Sequence, residues 1–272
     1  MSTQPIIILG VSSSGTKLLS QIIGRLPNIA LITEHGGKAK TIPEDKSPEE
    51  DSKLWWEHFT FPSGRDAKNL PLCEEPIPDP KAEKWLADYY TAFANGRRLA
   101  VKNPQSLARL PVIQRVIPNA FYVWAARDPN EIINSVLRKN GRKYAKHNWR
   151  ERVFGLHRQR AILHTSDMRF IPRSNLTARA AHGVGQMAKA CWLLGGHIVR
   201  YEDLLSDPKP AITALYRALG YPNDPDADTL ALPKVQPTPV NLVTKVKHQQ
   251  YVDYCTEIYH QTFGYDRRGA IV

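Results

Sequence analysis

The first residues that could do chemistry lie between Gly10 and Lys17, where the chain reads GVSSSGTK. The aliphatic run from Ile6 to Leu9 that precedes them is typical of a buried strand. Small residues then let the backbone turn tightly and bring its N–H groups close to a ligand. Because an apolar helical pattern begins at Leu18, the segment predicts a helix N-terminus behind the turn, which is a site for an anion such as phosphate.

Gly10 and Gly15 have the spacing of a nucleotide-triphosphatase loop, but the two residues that follow are in the wrong order. The pattern GxxxxGK[ST] requires Lys before the hydroxyl residue, whereas Thr16 precedes Lys17 in this chain. The exchange moves both the cation and the hydroxyl that would hold magnesium. The loop therefore predicts either a phosphate cradle or an ordinary turn between a strand and a helix. The predicted cradle consists of Ser13, Ser14, Gly15, Thr16, Lys17 and Leu18.

A second group of polar residues follows the clearest apolar run of the sequence, at 120–126. Arg127 comes directly after this predicted strand, at the end where open α/β sheets bind their ligands. Ser135 and Lys139 lie about two and about three helical turns further along. Guanidinium gives bidentate contacts to phosphate, a hydroxyl gives a neutral hydrogen bond and an ammonium a point charge. The group predicts either a second phosphate site or a capped helix with a surface arginine.

The elements that must position these residues alternate between strand and helix. Strands are predicted at 6–9, 29–32, 99–101, 120–126 and 197–200, and helices at 16–25, 81–95, 105–117, 130–140, 181–194, 208–219 and 249–262. This alternation favours a single P-loop-like α/β domain over 1–272, with a central parallel sheet flanked by helices. Two irregular stretches, 36–80 and 141–180, are predicted to be lid insertions.

Composition narrows the class of function. The chain has 272 residues, of which 42% are hydrophobic, and no apolar run approaches the ~20 residues of a membrane span. The net charge of +11 favours an anionic partner, but the basic residues are scattered and form no nucleic-acid-binding motif, so no nucleic-acid partner is expected. Cys73, Cys191 and Cys255 lack metal-ligand spacing, so no metal is expected. Isolated cysteines without a secretory signal predict a cytoplasmic protein.

Two anion sites on one domain suggest a ligand with phosphates at both ends, and the motifs resemble those of the sulfotransferase family. The Ser14-Gly15-Thr16 turn is similar to the family's loop at the 5′ end of 3′-phosphoadenosine 5′-phosphosulfate (PAPS). Arg127 and Ser135 have the interval of the family's 3′-phosphate pair. The resemblance covers most of the chain and implies PAPS as the co-substrate.

Within that family, the tyrosylprotein sulfotransferase branch is the most similar. Glu34 and Lys102 lie where that branch has its catalytic Glu and Lys, which implies Glu34 as general base, with His35 as the alternative. Ser13 departs from the family, which usually carries Arg or Lys there. Lys17, in place of a usual Thr, is expected to supply the missing charge. Lys17 and Lys102 would then stabilise charge on the sulfuryl group and the leaving phosphate.

Two further segments resemble the family, 200–204 (RYEDL) and 263–265 (FGY). Tyr201 is expected either to approach the nucleotide or to pack in the core, and Glu202 to cap the next segment. Four aromatic residues either pack in the core or line an acceptor pocket: Trp55, Trp56, Phe59 and Phe61.

The predicted function is transfer of a sulfuryl group from PAPS to a hydroxyl acceptor. The basic net charge and the matches at Glu34 and Lys102 favour tyrosine in an acidic peptide or a glycan, and a small alcohol or phenol stays open. One alternative is a P-loop kinase, in which Asp128 would hold magnesium. The other is a nucleotide-binding domain without catalysis, which Ser13 favours.

Overall fold

Strands and helices alternate along the part of the chain that the computed structural model describes, residues 4–33, 55, 58–60, 77–146, 176–222 and 249–265. The strands are β1 (Ile6–Leu9), β2 (Ile29–Thr33), β3 (Arg98–Lys102), β4 (Phe121–Ala126) and β5 (His197–Arg200). The helices are α1 (Thr16–Gly24), α2 (Pro80–Ala94), α3 (Leu110–Val116), α4 (Pro129–Lys146), α5 (Leu176–Leu194), α6 (Tyr201–Ser206), α7 (Pro208–Ala218) and α8 (Gln249–Phe263). None of these described helices is both long and apolar enough to cross a bilayer.

The five strands form one parallel sheet in the order β2-β3-β1-β4-β5, which confirms the predicted α/β fold. The central strand β1 pairs with β3 on one side and β4 on the other, so the chain changes direction across the sheet at β1. Ile8 is aligned with Lys102 and with Val123, and the same row continues to Thr33 and His197. Residues just beyond this row lie at the carboxyl edge, where such sheets bind ligands.

Helices cover both faces of the sheet, which explains why β1 and β4 lack charged residues along their whole length. Ile7 and Leu9 face a core shared with α2, α3, α5 and α8. Ile6 and Ile8 face a second core shared with α1 and α7. All four side chains of β1 are fully buried. The turn that follows β1 therefore starts from a rigid strand at the centre of the molecule.

Trp55 and Phe59 pack in the core. Both side chains are fully buried, and their rings stack with centroids 4.8 Å apart. They belong to the same cluster as Leu86 of α2 and Ile113 of α3. The core interpretation therefore holds for these two residues. Trp56 and Phe61 lie outside the described residues.

Several predicted bounds were wrong. Helix α4 extends to Lys146 and α5 begins at Leu176, so both ends of the stretch predicted to be irregular, 141–180, are helical. The basic sequence after 140 hides the first extension, because it lacks an apolar period. The predicted helix at 105–117 divides into a 3-10 helix, Pro104–Arg109, and α3, which has a proline in its first turn. Proline there lacks the N–H that would continue the preceding helix.

Candidate functional site

The turn between β1 and α1 alternates between two backbone conformations. Ser13 (φ 77°) and Gly15 (φ 102°) are left-handed, whereas Ser14 between them and Thr16 after them are not. Such alternation points successive N–H groups into one concave site that suits an anion. No described side chain caps the start of α1, and its first turn carries no acidic residue. The positive end of the helix dipole is therefore directed at the same site.

Two residues close this turn from within. Ser14 is completely buried, and its N–H and its Oγ both donate to the carbonyl of Val11, at 3.1 and 2.8 Å. Its hydroxyl thus stabilises the loop. A Cβ at Gly10 would lie 2.7 Å from Cγ2 of Thr16 and 3.2 Å from the carbonyl oxygen of Ala125, so only glycine fits at Gly10.

The first turn of α1 offers a ligand one side chain and several backbone groups. Lys17 is exposed, while the side chains of Thr16 and Leu18 are buried. The first intrahelical bond runs from Leu19 N–H to the Gly15 carbonyl. The N–H groups that precede Leu19, including that of Leu18, belong to the turn that has no earlier helical acceptor.

Arg127 extends from the end of β4 back to this loop. Its Nη1 donates to the carbonyl of Ser13 at 3.4 Å, and its Nη2 donates to Oε2 of Glu131 at 3.0 Å. Its guanidinium carbon lies 4.7 Å from the ring centroid of Tyr201. That same ring packs against Gly15, where a Cβ would lie 2.8 Å from Cδ2 of Tyr201. The loop and Arg127, which the sequence analysis singled out separately, therefore lie side by side.

A comparison with protein-family models identifies the family of this chain. The model described as "Sulfotransferase family" matches residues 5–226, a span that includes β1, the loop, Lys102 and Arg127. This chain belongs to the sulfotransferase family. It is an enzyme of that family, and the match does not distinguish the tyrosylprotein branch, which stays a prediction.

The chain is also similar to solved structures that are named as sulfotransferases or sulfotransferase domains. The sulfotransferase domain of the Synechococcus PCC 7002 olefin synthase is 16% identical with a TM-score of 0.49, and the match covers 94% of each chain. A sulfotransferase from Alicyclobacillus acidocaldarius is 17% identical with a TM-score of 0.46, over 87% of this chain and 88% of that one. The search of curated proteins found no match.

A partly buried hydrogen-bond network holds the Arg127 turn of this sulfotransferase. The N–H of Arg127 donates to the hydroxyl of Tyr259, at 3.1 Å. The next N–H, of Asp128, donates to Oε1 of Glu202 at 2.9 Å, and the hydroxyl of Tyr265 donates to Oε2 of the same carboxylate at 2.7 Å. Glu202 therefore connects the turn to α6 and to the end of α8. The segments 200–204 and 263–265 thus both contribute to the network that holds the Arg127 turn.

The hydroxyls in this network stay protonated. Burial raises the pKa of Tyr265, and the adjacent Glu202 carboxylate raises it further. Burial also raises the pKa of Tyr259. For Tyr201, burial raises the pKa and the neighbouring Arg127 charge opposes that rise. At neutral pH these tyrosines therefore act as hydrogen-bonding groups with no charge of their own.

The structure describes some of the other predicted site residues in full, and others only in part or not at all. Lys102 ends β3 at the carboxyl edge and is only 4% exposed, which is unusual for lysine and unlike a solubility charge. Ser135 is buried on α4. Lys139 also lies on α4, but its side chain is outside the described part of the structure.

Glu34 directly follows Thr33, the last residue of β2, and lies outside the described residues, as does His35.

Asp128 caps α4. Its Oδ1 accepts from the N–H groups of Asn130 and Glu131, at 2.7 and 3.1 Å. That is the helix-capping role of an Asp-Pro start. Among the described residues, no group of three or more His, Cys, Asp or Glu side chains is arranged to hold a metal ion.

Four residues of the site were missed as such in the sequence. Glu131 and Tyr259 carried no motif that singled them out, Tyr265 was noted only as part of the segment 263–265, and Glu202 was expected only to cap its own segment. The one available signal for Glu131 is its spacing of four from Arg127, which favours an ion pair on a helix face. The other three contact partners far away in the chain.

Proposed function

We propose that this enzyme transfers the sulfuryl group of PAPS to a hydroxyl acceptor. The loop from Ser13 to Leu18 would hold the 5′-phosphosulfate, and Arg127, Ser135 and Lys139 the 3′-phosphate. One observation supports this most: Nη1 of Arg127 lies 3.4 Å from the carbonyl of Ser13, so a single nucleotide can reach both sites. PAPS is the donor that the family generally uses.

Each step of the transfer has a residue assigned to it. The acceptor oxygen forms a bond to sulfur as the bond from sulfur to the 5′-phosphate oxygen breaks, and the acceptor proton passes to Glu34. Negative charge grows on the leaving phosphate, where the loop N–H groups, Lys17 and Lys102 would stabilise it. The burial of Lys102 at the carboxyl edge supports its role, because a desolvated ammonium interacts strongly with a nearby anion.

The acceptor class proposed is tyrosine in an acidic peptide or a glycan. The net charge of +11 supports an acidic acceptor, and the matches at Glu34 and Lys102 support the tyrosylprotein branch. A single domain over 1–272, lid insertions within 36–80 and within 141–180, and a cytoplasmic location are further predictions of the same proposal.

A transfer assay with labelled PAPS tests the proposal. Tyrosyl peptides, glycans and small phenols are compared as acceptors, and we expect label on an acidic peptide or a glycan. Glu34→Gln should lower kcat by ~10²–10⁴-fold, as loss of a general base does. Glu83→Gln on α2, a carboxylate paired with Arg115, is the matched control and should retain activity. No transfer to any acceptor would contradict the proposal.

Nucleotide binding separates this function from a kinase. Adenosine 3′,5′-bisphosphate without magnesium should raise the melting temperature more than ATP with magnesium does. The cap that Asp128 forms on α4 supports this expectation, because one of its oxygens is already used. Selective stabilisation by ATP with magnesium would favour the kinase.

A further inference from the structure

Glu131 forms an ion pair with Arg127, the residue that the proposed function assigns to the 3′-phosphate. The Arg127 and Glu131 side chains are only 11% and 16% exposed, and their ion pair measures 3.0 Å. Both terminal nitrogens of the guanidinium donate to protein oxygens, Nη1 to Ser13 and Nη2 to Glu131. A bidentate contact with phosphate needs such N–H groups. A phosphate that binds through Nη2 therefore shares this nitrogen with Glu131 or displaces the carboxylate from it.

Arg127 has contacts other than Glu131 that hold it beside the loop. The guanidinium lies against the ring of Tyr201 and donates to the carbonyl of Ser13. The backbone of the same residue is fixed by Tyr259, and the backbone of Asp128 by Glu202. These contacts do not involve the Glu131 carboxylate, so the arginine has other supports.

The second oxygen of Glu131 shows that its carboxylate is poorly satisfied. Oε1 is buried and has no hydrogen-bond partner among the described residues. A buried carboxylate oxygen without a partner is costly. A dianionic phosphate brought to Arg127 would add like-charge repulsion to this cost, and the repulsion is weakly screened because the pair is shielded from water.

We propose that Glu131 is an internal competitor for Arg127, which weakens binding of the 3′-phosphorylated nucleotide and speeds release of the bisphosphate product. The inference rests on the proposed function, in which Arg127 binds the 3′-phosphate. When the product leaves, the ion pair between Glu131 and Arg127 forms again. In the empty site the charge of Arg127 is therefore balanced by the Glu131 carboxylate. The competition acts at the 3′ end alone, because the loop contacts the 5′ end.

Two nucleotides and two variants test this competition. Adenosine 3′,5′-bisphosphate and AMP, which lacks the 3′-phosphate, are titrated by calorimetry into the wild type, Glu131→Gln and Glu83→Gln. Gln keeps the size of Glu131 and an oxygen that can accept from Arg127, but removes the charge. We expect Glu131→Gln to bind the bisphosphate about five- to tenfold more tightly, with AMP affinity unchanged.

Glu83→Gln is the control for Glu131→Gln, because it removes the same charge from another glutamate that is paired with an arginine. Glu83 is 14% exposed and paired with Arg115 at 2.8 Å, on α2 and α3. This variant should bind both nucleotides like the wild type. Thermal unfolding of each variant checks folding, and Glu131→Ala replaces Glu131→Gln if the latter is not folded, with the same expectation.

Three outcomes would overturn the inference, in distinguishable ways. Equal or weaker bisphosphate binding by Glu131→Gln would give Glu131 a positioning or purely structural role. An equal gain for AMP would indicate a general effect of charge. If the wild type itself does not prefer the bisphosphate over AMP, the assignment of Arg127 in the proposed function fails, and the inference fails with it.

Discussion

The two halves of the proposed nucleotide site are held in different ways. The loop after β1 is closed mainly by neighbours in the chain, as Ser14 donates twice to Val11, and by the left-handed residues Ser13 and Gly15. The turn after β4 is held by side chains from distant segments, with Glu202 bonded to the N–H of Asp128. The first half is thus a local structure, whereas the second exists only when β5, α6 and α8 are packed in place.

This difference predicts which part of the site, and which property, a substitution in each half will change. Substitutions in the loop should change the loop itself and binding at the 5′ end. Substitutions in the network around Arg127 should lower stability and affect the 3′ end. Binding of the bisphosphate compared with AMP separates the two ends, because only the bisphosphate carries the 3′-phosphate.

Removing the guanidinium at the 3′ end should have the largest effect. Arg127→Ala removes a charged hydrogen bond to phosphate, which contributes about 1.5–3 kcal/mol, so bisphosphate affinity should fall about 10- to 150-fold. AMP affinity should stay within about twofold, because the loop loses only its contact with Arg127 and keeps the bonds from Ser14 to Val11. Calorimetric titration of both nucleotides measures this, with Arg115→Ala, which removes another paired arginine, as the control. Unchanged bisphosphate affinity would refute the assignment of Arg127.

The second largest effect is expected at the contact between the two halves. Gly15→Ala forces a side chain into a left-handed residue with φ 102° and directs its Cβ to within 2.8 Å of Tyr201. Strain of this kind costs about 1–3 kcal/mol, and the displaced Tyr201 ring should also weaken bisphosphate binding. Chemical denaturation measures the free energy of unfolding.

Gly96→Ala is the matched control for that substitution. Gly96 is also left-handed, with φ 77°, but no described atom lies within 4 Å of the Cβ that alanine would add. It should therefore show the conformational cost alone, about 1 kcal/mol. Equal destabilisation by the two substitutions would mean that Tyr201 does not hold the loop against Arg127.

Sequence reasoning reached the local half of the site and only part of the distant half. The apolar run of β1, the glycine spacing and the residue after β4 are visible within one short window each, so the fold and the positions of Gly15 and Arg127 were predictable. The left-handed backbone of Ser13 was not, because a residue other than glycine rarely adopts it.

The supporting network was out of reach for a physical reason. Glu202 and Asp128 meet because β4 and β5 are adjacent in the sheet, and their separation along the chain carries no period. Helix α6 was also missed, since six residues are too few for a helical pattern to stand out. Glu34 was assigned by resemblance alone and stays a prediction.

A smaller loss of stability is expected from Tyr265→Phe. This change deletes the hydroxyl that donates to Oε2 of Glu202 and leaves part of a carboxylate unpaired, which costs about 1–2 kcal/mol. Tyr254→Phe on α8 is the control, because Tyr254 is an exposed tyrosine. Urea denaturation should distinguish the two variants. If both variants match the wild type, the network does not stabilise the turn.

Alkaline pH is expected to have the most limited effect on stability. The effect appears only above the ordinary pKa of tyrosine, about 10. The pKa values of Tyr259 and Tyr265 are raised in the folded protein, so above about pH 10 the unfolded chain loses these protons first. Stability conferred by the two hydroxyls is therefore fully present below pH 10 and falls as the pH rises above it.

The slope that each such hydroxyl contributes approaches about 1.4 kcal/mol per pH unit as the pH rises above 10. Tyr265→Phe should accordingly lose less stability than the wild type between pH 10 and pH 11, by about 1 kcal/mol. Urea unfolding at pH 9, 10 and 11 measures it. Parallel slopes in the two proteins would mean that the Tyr265 hydroxyl is not held against Glu202 in solution, and that the turn carrying Arg127 owes its shape to local sequence, as the loop does.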